Sequence, residues 1–346
     1  MSQGYIAIGL DIGHSGSKIT FALDTDRKNH SNILVPTYVT PAFKLSSPET
    51  ASRAKTETVE LNGKQYFYGN TADRQGALKA FSGQEETWYF TETHDVLVLA
   101  GMNEIEKELA KKGKQIPDNV VIFIGLPASR FGIDAGALKE RVEKLVRTRL
   151  SPEQNLEVRV KSQAETPLYM MFFSQNGEID KGYDMINKEL GAVEIGHFTT
   201  DVTMIINGDI REQATGSLVG VNQIYEKVGR GLAEMGLSNL PRMVNDAIHK
   251  GEVKHHGKVI DVNDLVKRAR IDFAETLVME VGRLLGDQAA ALDGIALGGG
   301  GAPLVYDVMK QKFPHTVMFE NPRFCVAEAF CRSALFVGKD VFGKAV

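Results

Sequence analysis

The sequence predicts an α/β protein of two domains that repeat one plan. Three observations carry that expectation. With 346 residues, the chain exceeds what one hydrophobic core ordinarily serves. Short apolar runs alternate with helical patterns through both halves. And one segment occurs twice: Gly9-Leu-Asp11-Ile-Gly13-His14-Ser-Gly-Ser-Lys18-Ile-Thr20 aligns without gaps on Ala192-Val-Glu194-Ile-Gly196-His197-Phe-Thr-Thr-Asp201-Val-Thr203. Acid, Ile, Gly, His and the closing Thr fall in register, which implies two halves of one ancestral plan.

The elements follow in order. Tyr5 to Leu10 reads as a strand that meets a turn at Asp11-Ile-Gly13 and returns over Lys18 to Leu23. From Ser31 to about Thr58 the chain is rich in Ser, Thr and Pro with little periodicity, and a long surface segment is expected. Val59 to Tyr68 is a hairpin, because Asn62-Gly63 supplies the positive φ angles of a two-residue turn. Helices are expected over His94 to Lys111 and Ala137 to Arg149, with strands at Val120 to Gly125 and Leu156 to Val160. The second half repeats the grammar: a strand from Gly191 to Ile195, a return over Asp201 to Ile206, and a second Asn-Gly turn at Asn207-Gly208. Helices at Val219 to Glu234, Val262 to Leu285 and Ala302 to Lys312 flank a strand at Ile295-Ala-Leu297 that breaks on four glycines.

Composition sets the class. Hydrophobic residues make up 43% and charged residues 24%, as in a soluble globular protein. A net charge of -4 gives no general attraction to nucleic acid or anionic lipid, so direct DNA binding and membrane binding are not expected. The two cysteines, Cys325 and Cys331, read as buried apolar fillers in a reducing cytoplasm. The pair His255-His256 lies in a polar stretch and reads as a solvated turn.

The repeated turn carries chemistry. A glycine after a strand lets backbone amides approach an oxygen anion with no Cβ in the way. An acid at the same strand end repels a phosphate, unless a hydrated Mg²⁺ stands between them. Asp11 and Glu194 would then hold the metal through water, and Lys18 would meet a phosphate oxygen. Ser15, Ser17, Thr199 and Thr200 could donate hydroxyl hydrogen bonds. Leu297-Gly298-Gly299-Gly300-Gly301-Ala302-Pro303 adds a strand end, bare backbone and a helix start. No Walker pattern and no Rossmann glycine fingerprint occurs.

Asp11-x-Gly13 with the turn residues His14, Ser15, Gly16, Ser17 and Lys18 resembles the first phosphate loop of the actin, Hsp70 and sugar-kinase superfamily. Glu194-x-Gly196-His197-Phe198-Thr199-x-Asp201 resembles its second phosphate loop, and Gly298 to Gly301 its adenosine motif. Leu126-Pro127, Glu165 in Gln-Ala-Glu-Thr-Pro, and Asn321-Pro-Arg-Phe324 resemble connecting segments of ParM/StbA-type plasmid segregation proteins.

The resemblance implies a duplicated RNase-H-like, actin-like fold with ATP and Mg²⁺ in the interdomain cleft. Residues 1–162 with 321–346 would form domain I and 163–320 domain II. It further implies a cytoplasmic ATPase that polymerises with itself on ATP and moves plasmid copies through a DNA-binding adaptor at a centromere-like site. Glu165 would position the attacking water, with Glu194 and Asp11 ordering the metal. Arg268, on a long helix that lines the adenosine pocket in this superfamily, and Gly216, near a post-hairpin helix start, would face the nucleoside side. Arg268 and Asp272 could equally form an i,i+4 surface pair. The chain departs from the family where Glu194 replaces the usual Asp and His197 a second glycine. A small-molecule kinase and a non-filament adaptor of the same superfamily are the alternatives.

Overall fold

The structure, a computed structural model, describes residues 4–77, 87–180 and 187–343. The chain divides into two compact units, Met1–Asp184 with Phe324–Val346, and Met185–Arg323.

In chain order the first unit contributes β1 (Tyr5–Gly13), β2 (Gly16–Leu23), β3 (Asp26–Val35) and β4 (Val39–Pro41), then α1 (Pro48–Thr56). The hairpin β5 (Thr58–Leu61) and β6 (Lys64–Tyr68) leads to α2 (Gly69–Arg74) and α3 (Glu92–Lys111). β7 (Asn119–Leu126), α4 (Ala128–Arg147), β8 (Asn155–Ser162) and α5 (Thr166–Phe172) follow. The second unit holds β9 (Leu190–Ile195), β10 (Thr199–Ile206), β11 (Asp209–Ile210), β12 (Gly216–Val219), α6 (Asn222–Glu234) and α7 (Pro241–Lys250). Next come β13 (Glu252–His255), β14 (Lys258–Asp261), α8 (Asn263–Leu285), β15 (Gly294–Gly298), α9 (Ala302–Lys312) and β16 (Thr316–Met318). The chain then returns to the first unit as α10 (Cys325–Phe342).

The main sheet of the first unit runs β3-β2-β1-β7-β8, with the first three antiparallel and β7 and β8 parallel to β1. The second unit repeats this order as β11-β10-β9-β15-β16, again antiparallel on one side and parallel on the other. Alternation along β1 explains how the first sheet is covered on both faces. Ile6, Ile8 and Leu10 join the core built with α3 and α4, whereas Tyr5 and Ala7 join Phe330, Cys331, Ala334 and Leu335 of α10. Cys325 and Cys331 are buried and form no disulfide, in keeping with the apolar fillers expected of them.

Both Asn-Gly turns form as expected. Asn62 and Gly63 have φ of 52° and 77°, and Asn207 and Gly208 have 53° and 83°. His256-Gly257 makes a third such turn, between β13 and β14, which explains why the paired histidines sit in a polar bend.

Two expectations are corrected. The stretch from Ser31 to Thr58 lies largely at the surface, as expected, but its lack of periodicity conceals regular structure: it contains β3 to Val35, β4 and α1. Its Ser and Pro residues are a helix start. Ser47 caps α1 by accepting the Thr50 amide, and Pro48 takes the first helical position, where its missing N–H costs nothing. Segment 163–180, placed with the second domain from the sequence, packs with the first unit. The Glu328 carboxylate of α10 accepts hydrogen bonds from His30 Nδ1 and Arg332 Nε, each at 2.9 Å. Arg332 Nη1 in turn donates to the carbonyls of Met170 and Phe173, which ties α5 to α10.

Candidate functional site

The first loop is the β1–β2 hairpin. Its register pairs Asp11 with Lys18 and Gly13 with Gly16, leaving His14 and Ser15 at the tip. Lys18 Nζ donates to Asp11 Oδ2 at 3.0 Å, and both side chains are largely buried. A Cβ on Gly13 would stand 3.0 Å from that ammonium, so glycine is what lets Lys18 lie across the turn. Gln163 Nε2 reaches Asp11 Oδ1 at 3.5 Å. The Thr37 hydroxyl donates to the Gly13 carbonyl at 2.7 Å, and Trp88 Nε1 to the Ile12 carbonyl at 3.1 Å. Because the peptide is trans, holding the Gly13 carbonyl turns the His14 amide the opposite way.

The second loop repeats the arrangement. Glu194 pairs with Asp201 across β9 and β10, as Asp11 does with Lys18. The carbonyls of Gly196, His197 and Phe198 accept from the amides of Val221, Asn222 and Gly220 at the start of α6. The amides of His197, Phe198 and Thr199 are thereby turned away from α6. Gly220 is the hinge of this packing: a Cβ there would lie 2.6 to 2.7 Å from Phe198 and Thr199 backbone and the His197 carbonyl. The His197 ring packs on Tyr225 with centroids 5.1 Å apart. His197 is thus accommodated against α6.

Glu194 and the four glycines come together. Gly298 pairs with Glu194 in the parallel ladder, and the Gly301 amide donates to the Ile195 carbonyl at 3.0 Å. Gly299 has φ of 89°, and a Cβ on it would stand 2.6 Å from Glu194 Oε1. Gly300 is exposed.

Other expectations do not hold as drawn. Ser17 is fully buried, its hydroxyl without a hydrogen-bond partner among the described residues, and it lies on the opposite face of β2 from Lys18. Thr200 spends its hydroxyl on the Val219 carbonyl at 2.9 Å. Gly216 lies in β12, paired with Val202, rather than at a helix start, because the strand continues to Val219 before α6 begins. Arg268 is exposed and donates to the Asp264 carbonyl of its own helix at 3.3 Å. Asp272 pairs instead with Lys227 of α6. That pair edges a hollow of about 200 Å³ between α6 and α8, lined also by Gln223, Glu226, Arg230 and Phe273. A larger hollow on α8 and α9, lined by Met279 and Lys312 among others, contains none of the expected site residues.

Glu165 stands just before α5, makes no side-chain capping bond to the helix, and accepts a hydrogen bond from the Tyr169 hydroxyl. Burial, with the Glu165 charge beside it, pushes the Tyr169 phenol far above its ordinary range, so it remains a donor. Asp201 is buried and its carboxyl is raised by that burial, against a hydrogen bond from Ser217. Among the described residues no group of three or more His, Cys, Asp or Glu is gathered to hold a metal. No described helix is long and apolar enough to cross a membrane.

Two histidines, half-buried His14 and fully buried His94, flank Trp88. Burial, helped by Lys18, lowers His14 to about 4, and burial with Arg141 and His14 lowers His94 to about 3. An unfolded imidazole takes its proton near pH 6.5, so between there and pH 3 the unfolded state binds the extra proton. Stability from this source is present above pH 6.5 and is lost as pH falls. His94 alone should make the protein about 2 kcal/mol less stable at pH 5 than at pH 7. Urea midpoints of His94→Phe should fall less over that interval than those of the wild type; parallel curves would refute the assignment.

Residues 9–165 match the family model of the N-terminal domain of actin-like proteins, and residues 192–311 that of the C-terminal domain of the archaeal MreB-like actin homologue. A search of curated proteins gives no match. Among solved structures, a 15-stranded ParM filament from Clostridium botulinum is similar at 17% identity and a TM-score of 0.72, covering 95% of this chain and 99% of its own. The archaeal actin homologue Ta0583 gives 17% and 0.68, with 95% and 99% covered. Bacillus thuringiensis ParM with ATP gives 14% and 0.62, with 96% and 99% covered. The repeated sheet order, the two domain models matched in sequence along the chain and these whole-length likenesses together give the chain the actin-like two-domain fold of the ParM structures.

Proposed function

We propose that the chain is an ATPase that assembles into filaments on Mg-ATP and uses their turnover to segregate plasmid DNA in the cytoplasm, through a DNA-binding adaptor at a centromere-like site. The observation that carries the reading is the duplicated loop. In each unit an acid ends a strand, a glycine follows, and the loop carbonyls are tied back so that amides face the other way. Such a loop favours an anion with oxygen atoms. The similarity to a ParM filament supports self-assembly, and the ATP described with the Bacillus thuringiensis protein supports the nucleotide.

Lys18 and the turn residues Gly13 to Ser15 would meet phosphate in the first unit, and Gly196 to Thr199 with Gly298 to Gly301 in the second. The hollow edged by Lys227 and Arg230 would take part of the nucleoside. Asp11 and Glu194 offer hard carboxylate oxygens that suit Mg²⁺, and with so few protein ligands the ion would keep water and phosphate oxygens in its shell. The metal would neutralise phosphate charge during phosphoryl transfer. Glu165 would align the attacking water, which is mainly a matter of position.

Light scattering and phosphate release followed together after adding Mg-ATP test this reading. A scattering rise that decays as ATP is consumed is expected. Phosphate release without scattering would replace the reading with a small-molecule kinase, and silence in both would replace it with a non-filament adaptor.

A further inference from the structure

The chain's one tryptophan sits against the first loop, outside every motif that suggested the function. Its indole N–H donates to the Ile12 carbonyl at 3.1 Å, and its ring lies on His14 with centroids 4.4 Å apart. Trp88 therefore grips the loop on both sides of Gly13, once through backbone and once through a side chain. Its other edge meets the buried His94 ring at 5.8 Å. Trp88 is itself 6% exposed, which fixes its position in the core. The neighbouring Tyr89 is anchored too: its hydroxyl donates to Asp134 Oδ2 at 2.6 Å and accepts from Arg130 Nε at 2.9 Å, on α4.

The second loop shows what the grip accomplishes. There the carbonyls of residues 196 to 198 are held by three consecutive backbone amides at the start of α6. Among the described residues no helix start does this for the first loop, where two side chains, Trp88 and Thr37, hold the carbonyls of Ile12 and Gly13. Unheld, a two-residue hairpin tip can rotate its peptide planes and turn a carbonyl toward an incoming anion, which would repel it.

We propose that Trp88 is a positioning residue for polyphosphate binding, holding the Ile12–His14 peptides so that the first loop presents amides rather than carbonyls. This rests on the reading of that loop as a phosphate-binding turn. Because Trp88 touches the loop and would not touch the ligand's nucleoside, its effect is confined to phosphate.

The test uses the full chain, with binding measured by calorimetry and tryptophan emission recorded in parallel. Wild-type emission should change on adding Mg-ATP or Mg-pyrophosphate and stay constant with adenosine. Trp88→Leu should weaken Mg-ATP about 10-fold, the scale of one lost hydrogen bond and a ring contact. Its adenosine affinity should be unchanged. Trp88→Phe, which keeps an aromatic ring beside His14 but loses the N–H and part of the ring area, should recover part of the loss. Thr37→Val should show the same phosphate-selective weakening. If the wild type binds Mg-ATP while Trp88→Leu binds it equally well, or weakens adenosine as much, Trp88 is not a positioning residue. Should Trp88→Leu fail to fold, wild-type emission that ignores bound Mg-ATP would overturn the proposal by itself. If the wild type binds neither Mg-ATP nor pyrophosphate, the loop reading falls and the proposal falls with it.

Discussion

Glu165→Ala should bind Mg-ATP and assemble as the wild type does, yet release phosphate about 100-fold more slowly, the lower end of what a positioned acid–base group contributes. The carboxylate stands at the start of α5, half-buried, with the Tyr169 hydroxyl donating to it. That hydroxyl is held above its ordinary titration range by burial and by the same carboxylate, so at neutral pH it fixes Glu165 without taking its charge away. Truncation to Ala removes the charge and leaves a buried phenol without its acceptor, which costs stability as well as rate. Glu165→Gln separates the two, because it retains an acceptor for Tyr169 and loses only the carboxylate. Phosphate release from both variants, with assembly scored by sedimentation, checks the result. If assembly and hydrolysis fall in parallel, Glu165 is structural. The nearby competitor is Gln163, whose amide reaches Asp11 at 3.5 Å. Slow hydrolysis in Gln163→Ala with a normal rate in Glu165→Ala would move the water-positioning role two residues upstream.

The difference between Gln163 and Glu165 marks where sequence reasoning stops. The hairpins were legible because their determinants are local: an acid, a glycine and alternating apolar residues fix Asp11 opposite Lys18 and Glu194 opposite Asp201. Asn62-Gly63 and Asn207-Gly208 were legible for the same reason. The sheet order repeated in both units follows from the repeated segment, and the buried strands read as continuous apolar runs. What escaped was set by contacts across the chain. Gly220 looks like any glycine before a helix until His197 and Phe198 are seen folded against it. Trp88 lies 74 residues from His14, and nothing in either neighbourhood announces their contact. Arg268 was singled out by its helix, but the turn of that helix sends it to solvent and presents Asp272 to Lys227. Ser17 turns on one residue of strand alternation: its neighbour Lys18 faces the loop, so Ser17 faces the core. α1 is hard to see in the sequence because Ser and Pro favour loops as well as helix starts, and here Ser47 and Pro48 are a cap and a first turn.

Gly9→Ala should be the most damaging single methyl in the first unit, with a loss of about 3 kcal/mol or more and a fall in Tm of roughly 6–12 °C. Gly9 opens the repeated segment, but its counterpart there is Ala192, and its backbone has no need of a positive φ, since it lies within β1. The constraint is steric. A Cβ at this position would stand 2.0 Å from the Ala327 carbonyl oxygen, 2.7 Å from the Cys331 amide nitrogen and 2.9 Å from Phe330 Cβ. All three belong to α10, and two are backbone atoms that no rotamer change can move. Relief therefore requires the helix to lift from β1, which would unpack Phe330, Ala334 and Leu335 together and strain the Glu328–His30 contact that ties α10 to β3. Gly63→Ala is the control. Gly63 has φ of 77° but nothing within 4 Å of an added Cβ, so only the left-handed backbone is penalised, at about 1 kcal/mol. Thermal unfolding followed by circular dichroism should rank Gly9→Ala well below Gly63→Ala. Equal losses would mean that α10 yields readily, and that the close approach of helix and strand is not what holds the C-terminal segment in the first unit.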